Sequence, residues 1–413
     1  RARAHATWAC RHGTWNMGMP ACATWASPSS RGARLWRSSE GLFWLKVQVA
    51  NLYGQDKMPL DKRVEWVEGV IAEGRLRAVA DAPLEATNLE WWLQAEKPLQ
   101  ALAACFELHA AITSPQPEAF LSHIPVHQDG SCNGLQHYAA LGRDTLGAQQ
   151  VNLLPHDEPQ DVYAGVMRLV AERVASDAAA TDAPQDDREA HTRELARKLD
   201  GHIKRKIVKQ TVMTSVYGVT FMGASQQIQN RLKEVGELKD LPETELRSMS
   251  VYLAGLTLTS LGQIFSGAST SMRWLSKCAS AIAKEGAAPV EWTTPLGLPV
   301  VQSYYKQHQR QISTVLAQMT VYEDVRPQQV LAYKQRNGFP PNYVHSLDSS
   351  HMLMSASACH AHGLTFAAVH DSYWTHAGDV SAMNSILREQ FVALHSPALL
   401  EQLLTSFRTR YAC

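Results

Sequence analysis

Residues 205–218 read RKIVKQTVMTSVYG, and this segment is the most informative part of the sequence. Arg205, Lys209, Met213 and Tyr217 recur every four residues, which predicts that they lie along one slowly drifting stripe of a helix. Two cations followed by an aromatic hydroxyl suit a triphosphate at one end and a sugar or base at the other, because Arg grips phosphate oxygens in a fork and Lys can release a proton. A solvated basic helix face is the structural alternative.

Upstream of that segment, residues 127–137 read HQDGSCNGLQH. The apolar run 121–127 predicts a strand that leads into Gln128, Asp129 and Gly130. A carboxylate at a strand end can approach a cation, and the small Gly130 leaves room for a bulky ligand beside it. The structural alternative is an Asp that caps the following helix.

A second carboxylate, Asp371, stands between the β-prone runs 364–369 and 373–376, which predict a hairpin with a tight turn. Two rigidly held aspartates could share divalent cations, because Mg²⁺ binds through one or two carboxylates together with substrate phosphates. A turn residue held by a structural hydrogen bond explains Asp371 equally well on its own.

Together, the three segments resemble the bacteriophage-type single-subunit RNA polymerases. Residues 127–137 look like polymerase motif A, residues 205–218 like motif B, and His370-Asp371-Ser372-Tyr373 like motif C, in the same order and with the same wide separation. Two further stretches, WTTPLGLPVV at 292–301 and PNYVHSLD at 341–348, are similar to the mitochondrial and plastid branch. The likeness runs from about Gly41 to Phe407.

The resemblance implies an α+β, predominantly helical right-hand polymerase fold with a small antiparallel palm sheet. Its boundaries would be an unassigned N-terminal segment at 1–40, a first palm part with motif A at 41–145, and fingers with motif B at 146–345. A second palm part, with motif C and a C-terminal helix, would occupy 346–413.

The resemblance also implies roles for the charged residues. Asp129 and Asp371 would hold two Mg²⁺ ions, one acting on the primer 3′-hydroxyl and the other on the leaving pyrophosphate. Arg205 and Lys209 would bind the incoming triphosphate, and Lys209 would also protonate the pyrophosphate. The implied catalytic residues are therefore Asp129, Lys209 and Asp371.

For the sugar and the template, the resemblance implies that Tyr217 and His345 recognise the ribose 2′-hydroxyl, and that Gly218 lets the template pass close to the backbone. The implied partners are a DNA template, nascent RNA, ribonucleoside triphosphates and organellar transcription factors, without a membrane. The implied location is the mitochondrion, with the plastid as the alternative.

Composition agrees with a globular protein of roughly two or three domains, since 413 residues carry 45% hydrophobic and 19% charged side chains. Lys and Arg equal Asp and Glu at 39 each, so any nucleic-acid surface must be local, and residues 197–209 are the most basic stretch. The seven cysteines form no Cys-x-x-Cys pair, which favours a reducing compartment over a disulfide framework or zinc ribbon. The longest uncharged stretch, 248–272, contains Ser, Thr, Gln and Gly and predicts a buried helix rather than a membrane span.

Outside the motifs, apolar spacing predicts a helix that begins at Pro98, helices over 162–174 and 383–394, and mostly helical structure over 232–290. Residues 292–305 predict turns and short strands, and the Ala- and Asp-rich residues 175–190 predict a solvated linker.

Three alternatives stay open at this point. A family A DNA polymerase shares the palm and the Lys-to-Tyr-Gly helix, but it carries a gate Glu in motif A and a Glu after the motif C Asp, where this sequence has Gly130-Ser131-Cys132 and Ser372. A metal-dependent hydrolase would use His123, His127 and Asp129, or His360 and His362, all of which are otherwise structural residues.

The third alternative is a catalytically incompetent nucleic-acid-binding fragment. The sequence starts without Met and lacks the family's amino-terminal and thumb regions, its Asp-Phe-Arg-Gly-Arg-type motif and its aromatic carboxy-terminus. We therefore expect a piece of a longer chain.

Overall fold

The computed structural model describes residues 39–117, 120–156, 160–236, 238–239, 241–285, 287–306, 308–314, 316–323 and 329–411. The unassigned segment at 1–40 lies outside these ranges except for its last two residues.

Long helices dominate the described chain, and the strands are short. The helices are α1 (Ser39–Tyr53), α2 (Leu60–Ala72), α3 (Arg75–Asp81), α4 (Ala86–Leu93), α5 (Pro98–Thr113), α6 (Asn133–Leu141), α7 (Thr145–Gln150), α8 (Val162–Ala179), α9 (Asp187–Leu199), α10 (Arg205–Ser215), α11 (Phe221–Leu232), α12 (Glu243–Ile264), α13 (Ser266–Lys284), α14 (Ala332–Ala361), α15 (Val380–His395) and α16 (Leu399–Tyr411). The strands are β1 (Val126–Asp129), β2 (Glu291–Thr293), β3 (Pro299–Val301), β4 (His308–Ser313), β5 (Gln318–Glu323), β6 (Ala367–Val369) and β7 (Ser372–Thr375). This confirms the predicted α+β, predominantly helical class with small antiparallel sheets.

The described residues divide into two compact units. One contains the described chain up to Gly130 together with His351–Val392, and the other contains Ser131–Ser350 and the described part of Ala393–Cys413. Each unit is described by itself below, and the palm and fingers boundaries stay a prediction.

The first unit contains a three-stranded antiparallel sheet in the order β1-β7-β6. Its main core is formed by α1, α2, α3 and α5 with β1, and includes the fully buried Leu45, Val67 and Leu108. Strand β1 begins only at Val126, so the prediction of a strand from residue 121 was wrong. The reason is Pro125, which has no N–H to donate to a strand ladder.

The predicted helix start at Pro98 and the predicted helices over 162–174 and 383–394 are confirmed. Pro98 is the first residue of α5, where its missing N–H costs nothing. The predicted linker at 175–190 was mostly wrong, because α8 continues to Ala179 and α9 begins at Asp187. Asp186 caps α9 by accepting a hydrogen bond from the Glu189 amide at 2.7 Å, which favours an early helix start.

The second unit holds α6 to α13, the hairpins β2–β3 and β4–β5, the first part of α14, and α16. Helix α10 buries Ile207, Val208, Thr211 and Val212 on one face, so Lys209 is left on the exposed face. Helices α12 and α13 confirm the predicted helical stretch and meet at Phe265. In the described part of the chain, no helix has the length and apolar character that a membrane span requires.

Candidate active site

Two carboxylates lie at one end of the three-stranded sheet in the first unit. Asp129 is the last residue of β1 and pairs with Ser372, the first residue of β7. Asp371 directly precedes Ser372, in the two-residue connection from β6, whose last residue Val369 also pairs with Ser372. The strand register therefore brings the two predicted metal ligands to adjoining positions.

The connection that carries Asp371 is a tight one. His370 occupies its first position with a φ of 56°, a left-handed conformation that is uncommon for a residue with a side chain. The Nδ1 atom of His370 lies 3.2 Å from an Asp371 carboxylate oxygen. The Asp371 side chain is still 36% exposed and Asp129 is exposed, so both carboxylates are accessible to a ligand from solvent.

This donor set fits magnesium better than zinc. Mg²⁺ is held by one or two carboxylates and completes its shell with waters and substrate phosphates, which two accessible aspartates allow. A catalytic zinc site needs three protein ligands. Among the described residues, no group of three or more His, Cys, Asp or Glu side chains could hold a metal ion.

Three histidines of the hydrolase alternative, His123, His127 and His362, have structural contacts in the first unit. The His127 ring stacks on Trp374, with centroids 4.4 Å apart and planes at 18°. His123 has its Nδ1 atom 3.9 Å from the Glu107 carboxylate. The Nδ1 atom of His362 lies 2.8 Å from the helix carbonyl one turn earlier. These contacts support the interpretation of these three histidines as structural residues.

In the second unit, the two motif B cations face one buried tyrosine at the start of α8. The guanidinium carbon of Arg205 lies 5.0 Å, and the Lys209 Nζ atom 5.8 Å, from the centre of the Tyr163 ring. Both distances fall in the range of cation–π attraction. Arg205 also donates from Nε to Asp161 at 2.5 Å, and Asp161 caps α8 by accepting from the Tyr163 amide at 2.9 Å. The start of α8 thus positions both cations.

Both cations keep donors that a phosphate could use. Arg205 donates to Asp161 from Nε, and its two terminal nitrogens have no acceptor among the residues that the structure describes, so they can bind another acceptor. Lys209 makes no ion pair with any residue that the structure describes. Burial, reinforced by the nearby Cys132 thiol, raises the pKa of Tyr163, so its ring stays neutral between them.

Tyr217 lies just beyond α10, not on it. Helix α10 ends at Ser215, and the Tyr217 amide donates to the Thr214 carbonyl at 3.1 Å in the following turn. The predicted stripe therefore stops at Met213, and its extension to Tyr217 was wrong. The physical reason is Gly218, whose φ of 72° is the left-handed conformation that ends helices.

The turn still brings Tyr217 into contact with His345, the residue with which the resemblance pairs it. The Tyr217 and His345 rings lie with centroids 4.8 Å apart at 67°, an edge-to-face contact. His345 is on α14 and partly buried. The predicted sugar-contacting pair is therefore assembled within one unit.

Gly218 is required by the packing of α14 as well as by its own backbone. A Cβ atom at Gly218 would lie 3.3 Å from the Asn337 carbonyl oxygen and 3.8 Å from the Pro341 Cγ atom. Pro341 has no N–H, so it cannot donate the helical hydrogen bond to the Asn337 carbonyl four residues earlier. Gly218 approaches α14 at the place where this bond is missing.

A buried polar network holds α14 one turn beyond His345. Asp348 accepts a hydrogen bond from the Asn133 side chain at 3.4 Å and lies 3.5 Å from the His137 Nε2 atom. The other His137 nitrogen lies 2.9 Å from His395. The network connects α6, which follows motif A, with the helix that carries His345.

Sequence reasoning missed Tyr163 and Asp161. The only local signal was an Asp immediately before a predicted helix, which indicates a cap. Nothing in the segment around Tyr163 shows that its ring faces cations from α10, because that contact joins residues far apart in the chain. Asp129, Gly130 and Asp371 belong to the first unit, and Arg205, Lys209, Tyr217, Gly218 and His345 belong to the second.

Comparison with known proteins agrees with the assignment of these residues to polymerase motifs. The sequence pattern of the family described as DNA-dependent RNA polymerase matches residues 37–413. DNA-directed RNA polymerase 2B, chloroplastic/mitochondrial, of Nicotiana tabacum is 51% identical over 373 residues, which cover 90% of this chain and 35% of that protein. DNA-directed RNA polymerase 2, chloroplastic/mitochondrial, of Arabidopsis thaliana is 50% identical over 374 residues, which cover 90% of this chain and 36% of that protein.

A third relative, DNA-directed RNA polymerase 1, mitochondrial, of Arabidopsis thaliana, is 47% identical over 373 residues, which cover 90% of this chain and 37% of that protein. The fold and motifs thus define a single-subunit polymerase, which confirms the resemblance. The chain belongs to the DNA-dependent RNA polymerase family. It spans between 35% and 37% of the length of these three relatives.

Proposed function

We propose that the chain carries the nucleotide-adding site of a DNA-directed RNA polymerase of mitochondria or plastids. The observation that carries the proposal is the pairing of β1 with β7, which sets Asp129 beside Asp371 at one end of a sheet. Membership in the family supplies the reaction class. The location follows the relatives, whose names read chloroplastic/mitochondrial or mitochondrial.

The proposed reaction is nucleotidyl transfer from a ribonucleoside triphosphate onto RNA paired with a DNA template. The 3′-hydroxyl of the RNA loses its proton to water and its oxygen attacks the α-phosphorus, and the bond from that phosphorus to the pyrophosphate oxygen breaks. Asp129 and Asp371 would hold two Mg²⁺ ions, which supply charge stabilisation for the attacking and leaving oxygens. The two aspartates contribute by presenting hard oxygen ligands from a rigid sheet end.

Arg205 and Lys209 would hold the triphosphate. The terminal nitrogens of Arg205 can donate to two phosphate oxygens at once, since Asp161 engages only its Nε atom. Lys209 has no acidic partner among the described residues, so its ammonium group can face the phosphates and give a proton to the departing pyrophosphate. The Tyr163 ring would keep both cations in place between successive substrates.

Tyr217 and His345 would recognise the ribose 2′-hydroxyl, which distinguishes RNA precursors from DNA precursors. Their edge-to-face contact limits the rotation of the Tyr217 ring, so that its hydroxyl is held for the sugar. Passage of the template near Gly218, and the participation of organellar transcription factors, stay predictions from the resemblance.

The test is extension of an RNA primer in a preformed RNA–DNA hybrid, in the presence of Mg²⁺ and ribonucleoside triphosphates. Asp129→Asn and Asp371→Asn should each reduce extension to background without loss of the circular dichroism of the unmodified chain. Asp81→Asn is the matched control, because Asp81 is an exposed aspartate of the same unit that pairs with Arg77, and it should extend normally.

Substantial extension by either site variant would contradict the role of the carboxylate pair. A chain that binds the hybrid but never extends it would refute the catalytic proposal and favour a nucleic-acid-binding function.

A further inference from the structure

Helix α13 carries three cations and no acidic residue along 19 positions that read SGASTSMRWLSKCASAIAK. Its exposed residues are Ser266, Thr270, Arg273, Lys277 and Lys284. They follow one another at separations of four, three, four and seven residues. Since residues three, four and seven apart share a helix face, the cations form a single exposed stripe, which we call the α13 stripe.

The opposite face of α13 is fixed to its neighbours within the second unit. Ala268, Leu275 and Ala279 are buried, and the helix packs against α6, α7 and α12. The Gly267 amide donates to the Asp144 carboxylate at 3.0 Å. A Cβ atom at Gly142 would lie 2.9 Å from the Gly267 carbonyl carbon, so the two backbones are in close contact. The α13 stripe is therefore held on a rigid support.

The cations of the α13 stripe also differ from many exposed cations of this chain in forming no ion pair within the described residues, although the exposed Glu285 directly follows Lys284. Lys62 pairs with Glu65, Arg77 with Asp81, and Lys233 with Glu243. By contrast, Arg273, Lys277 and Lys284 form no ion pair with any residue that the structure describes. In a chain with 39 basic and 39 acidic residues, such a stripe is a local excess of positive charge.

The length of the α13 stripe suits a duplex backbone. Eleven residues separate Arg273 from Lys284. A helix rises about 1.5 Å per residue, so the cations span about 16 Å. Along one strand of B-DNA, with about 3.4 Å between phosphates on the axis, that distance covers about five phosphates. Single-strand sites add exposed aromatic rings on which bases stack. The aromatic residue of α13, Trp274, is partly buried, which favours a duplex over a single strand.

We propose that the α13 stripe binds the phosphate backbone of duplex DNA through Arg273, Lys277 and Lys284. This inference deepens the proposed function and rests on it, since a template-directed polymerase meets duplex DNA. It adds a contact surface outside the nucleotide-adding residues named above. The contact is independent of base sequence, because three cations on a helix face read charge and not base edges.

The test is the salt dependence of binding to a blunt DNA duplex of random sequence, measured by fluorescence anisotropy with the full chain. The variant Arg273→Gln/Lys277→Gln/Lys284→Gln removes the three cations and keeps good helix formers. Each lost phosphate contact lowers the slope of log affinity against log salt by about 0.9, so the slope should fall by about 2.7. Between 50 and 200 mM salt, the unmodified chain should therefore lose about 40-fold more affinity than the variant.

The matched control is Lys62→Gln/Arg77→Gln/Lys233→Gln, which removes the same charge at ion-paired sites and should keep the slope of the unmodified chain. Equal slopes for the unmodified chain and the α13 variant would overturn the proposal. So would an equal fall in the control, failure of the unmodified chain to bind duplex, or an effect confined to single-stranded DNA.

The binding result is separable from the proposed function. If the hybrid is extended while the α13 variant keeps the original slope, only the surface proposal fails. If the slope falls as expected but no extension occurs, only the catalytic proposal fails.

Discussion

Replacement of Gly218 by Ala tests whether the turn after α10 is built as the structure indicates. Gly218 has a φ of 72°, and a residue with a Cβ pays roughly 1–2 kcal/mol to adopt the left-handed conformation. The new methyl group would also lie 3.3 Å from the Asn337 carbonyl oxygen, so α14 would have to give by a few tenths of an ångström. We assign about 1 kcal/mol to this crowding, the lower end of the cost of overpacking.

The chain offers a matched control in Gly201, which precedes α10 in the same unit. Its φ is 77°, and nothing lies within 4 Å of the position that its Cβ would take. Gly201→Ala should therefore pay the backbone cost alone, about 1–2 kcal/mol. Gly218→Ala should destabilise the local structure by about 2–3 kcal/mol, the sum of the backbone and crowding costs.

Hydrogen–deuterium exchange measures both costs locally. The reporting amides are those of Gly218 and Val219, which donate to Ser215 and Thr214 at 3.1 and 3.2 Å, and that of His202 beside the control site. With about 1.4 kcal/mol per factor of ten, the amides near Gly218→Ala should exchange about 30- to 150-fold faster. The amide near Gly201→Ala should exchange about 5- to 30-fold faster. Equal acceleration at both sites would refute the contact with Asn337, and no acceleration at either would refute the left-handed turns.

Three further predictions concern single side chains. Tyr217→Phe removes one hydroxyl that would contact the sugar, and the loss of such a hydrogen bond typically costs about 1–3 kcal/mol. The ratio of ribo- to deoxynucleotide incorporation should therefore fall by roughly 5- to 150-fold. An unchanged ratio would make Tyr217 a packing residue. Tyr163→Leu removes the ring that faces Arg205 and Lys209 at 5.0 and 5.8 Å, two contacts worth about 0.5–1 kcal/mol each and about 1–2 kcal/mol together. The KM for the nucleotide should therefore rise about 5- to 30-fold, while Tyr163→Phe should keep the original KM. Equal KM values for the two variants would contradict the role of the ring. Burial raises the pKa of Cys105 to about 12, and the residue is 1% exposed. Iodoacetamide at pH 8 should therefore label it only after unfolding, as measured by peptide mass spectrometry. Fast labelling of the folded chain would contradict the burial of Cys105 in the core of the first unit.

Much of the fold was readable because its signals are local. The start of α5 follows from a single Pro98, and the β6–β7 hairpin follows from two β-prone runs around a short turn. The errors were local as well. Pro125 delayed the start of β1, and the Asp186 cap started α9 inside the segment predicted to be a linker. In each case, one residue with a specific backbone effect overrode the composition of its neighbourhood.

The candidate site could be predicted only in part from the sequence, because several of its contacts join residues that are distant in sequence. The pairing of Asp129 with Ser372 could be inferred only through resemblance to known motifs, since a strand register between remote segments leaves no periodic trace. No sequence motif indicated the contact of Tyr163 with the two cations. Asp161 caps α8 and also binds Arg205. One carboxylate therefore fixes both the start of the helix that carries Tyr163 and the cation that the Tyr163 ring faces.

Gly218 and Pro341 explain why two separate sequence motifs depend on each other. Gly218 ends α10 and turns the chain so that Tyr217 reaches His345. Pro341 removes the helical hydrogen bond to the Asn337 carbonyl, at the point on α14 that Gly218 approaches most closely. A larger residue at 218 would push against the Asn337 carbonyl of α14, two turns before His345, and would strain the turn that carries Tyr217. It would therefore disturb both partners of the proposed sugar contact at once. The glycine of motif B and the proline of the 341–348 segment therefore act together in the packing that brings the Tyr217 ring against the His345 ring.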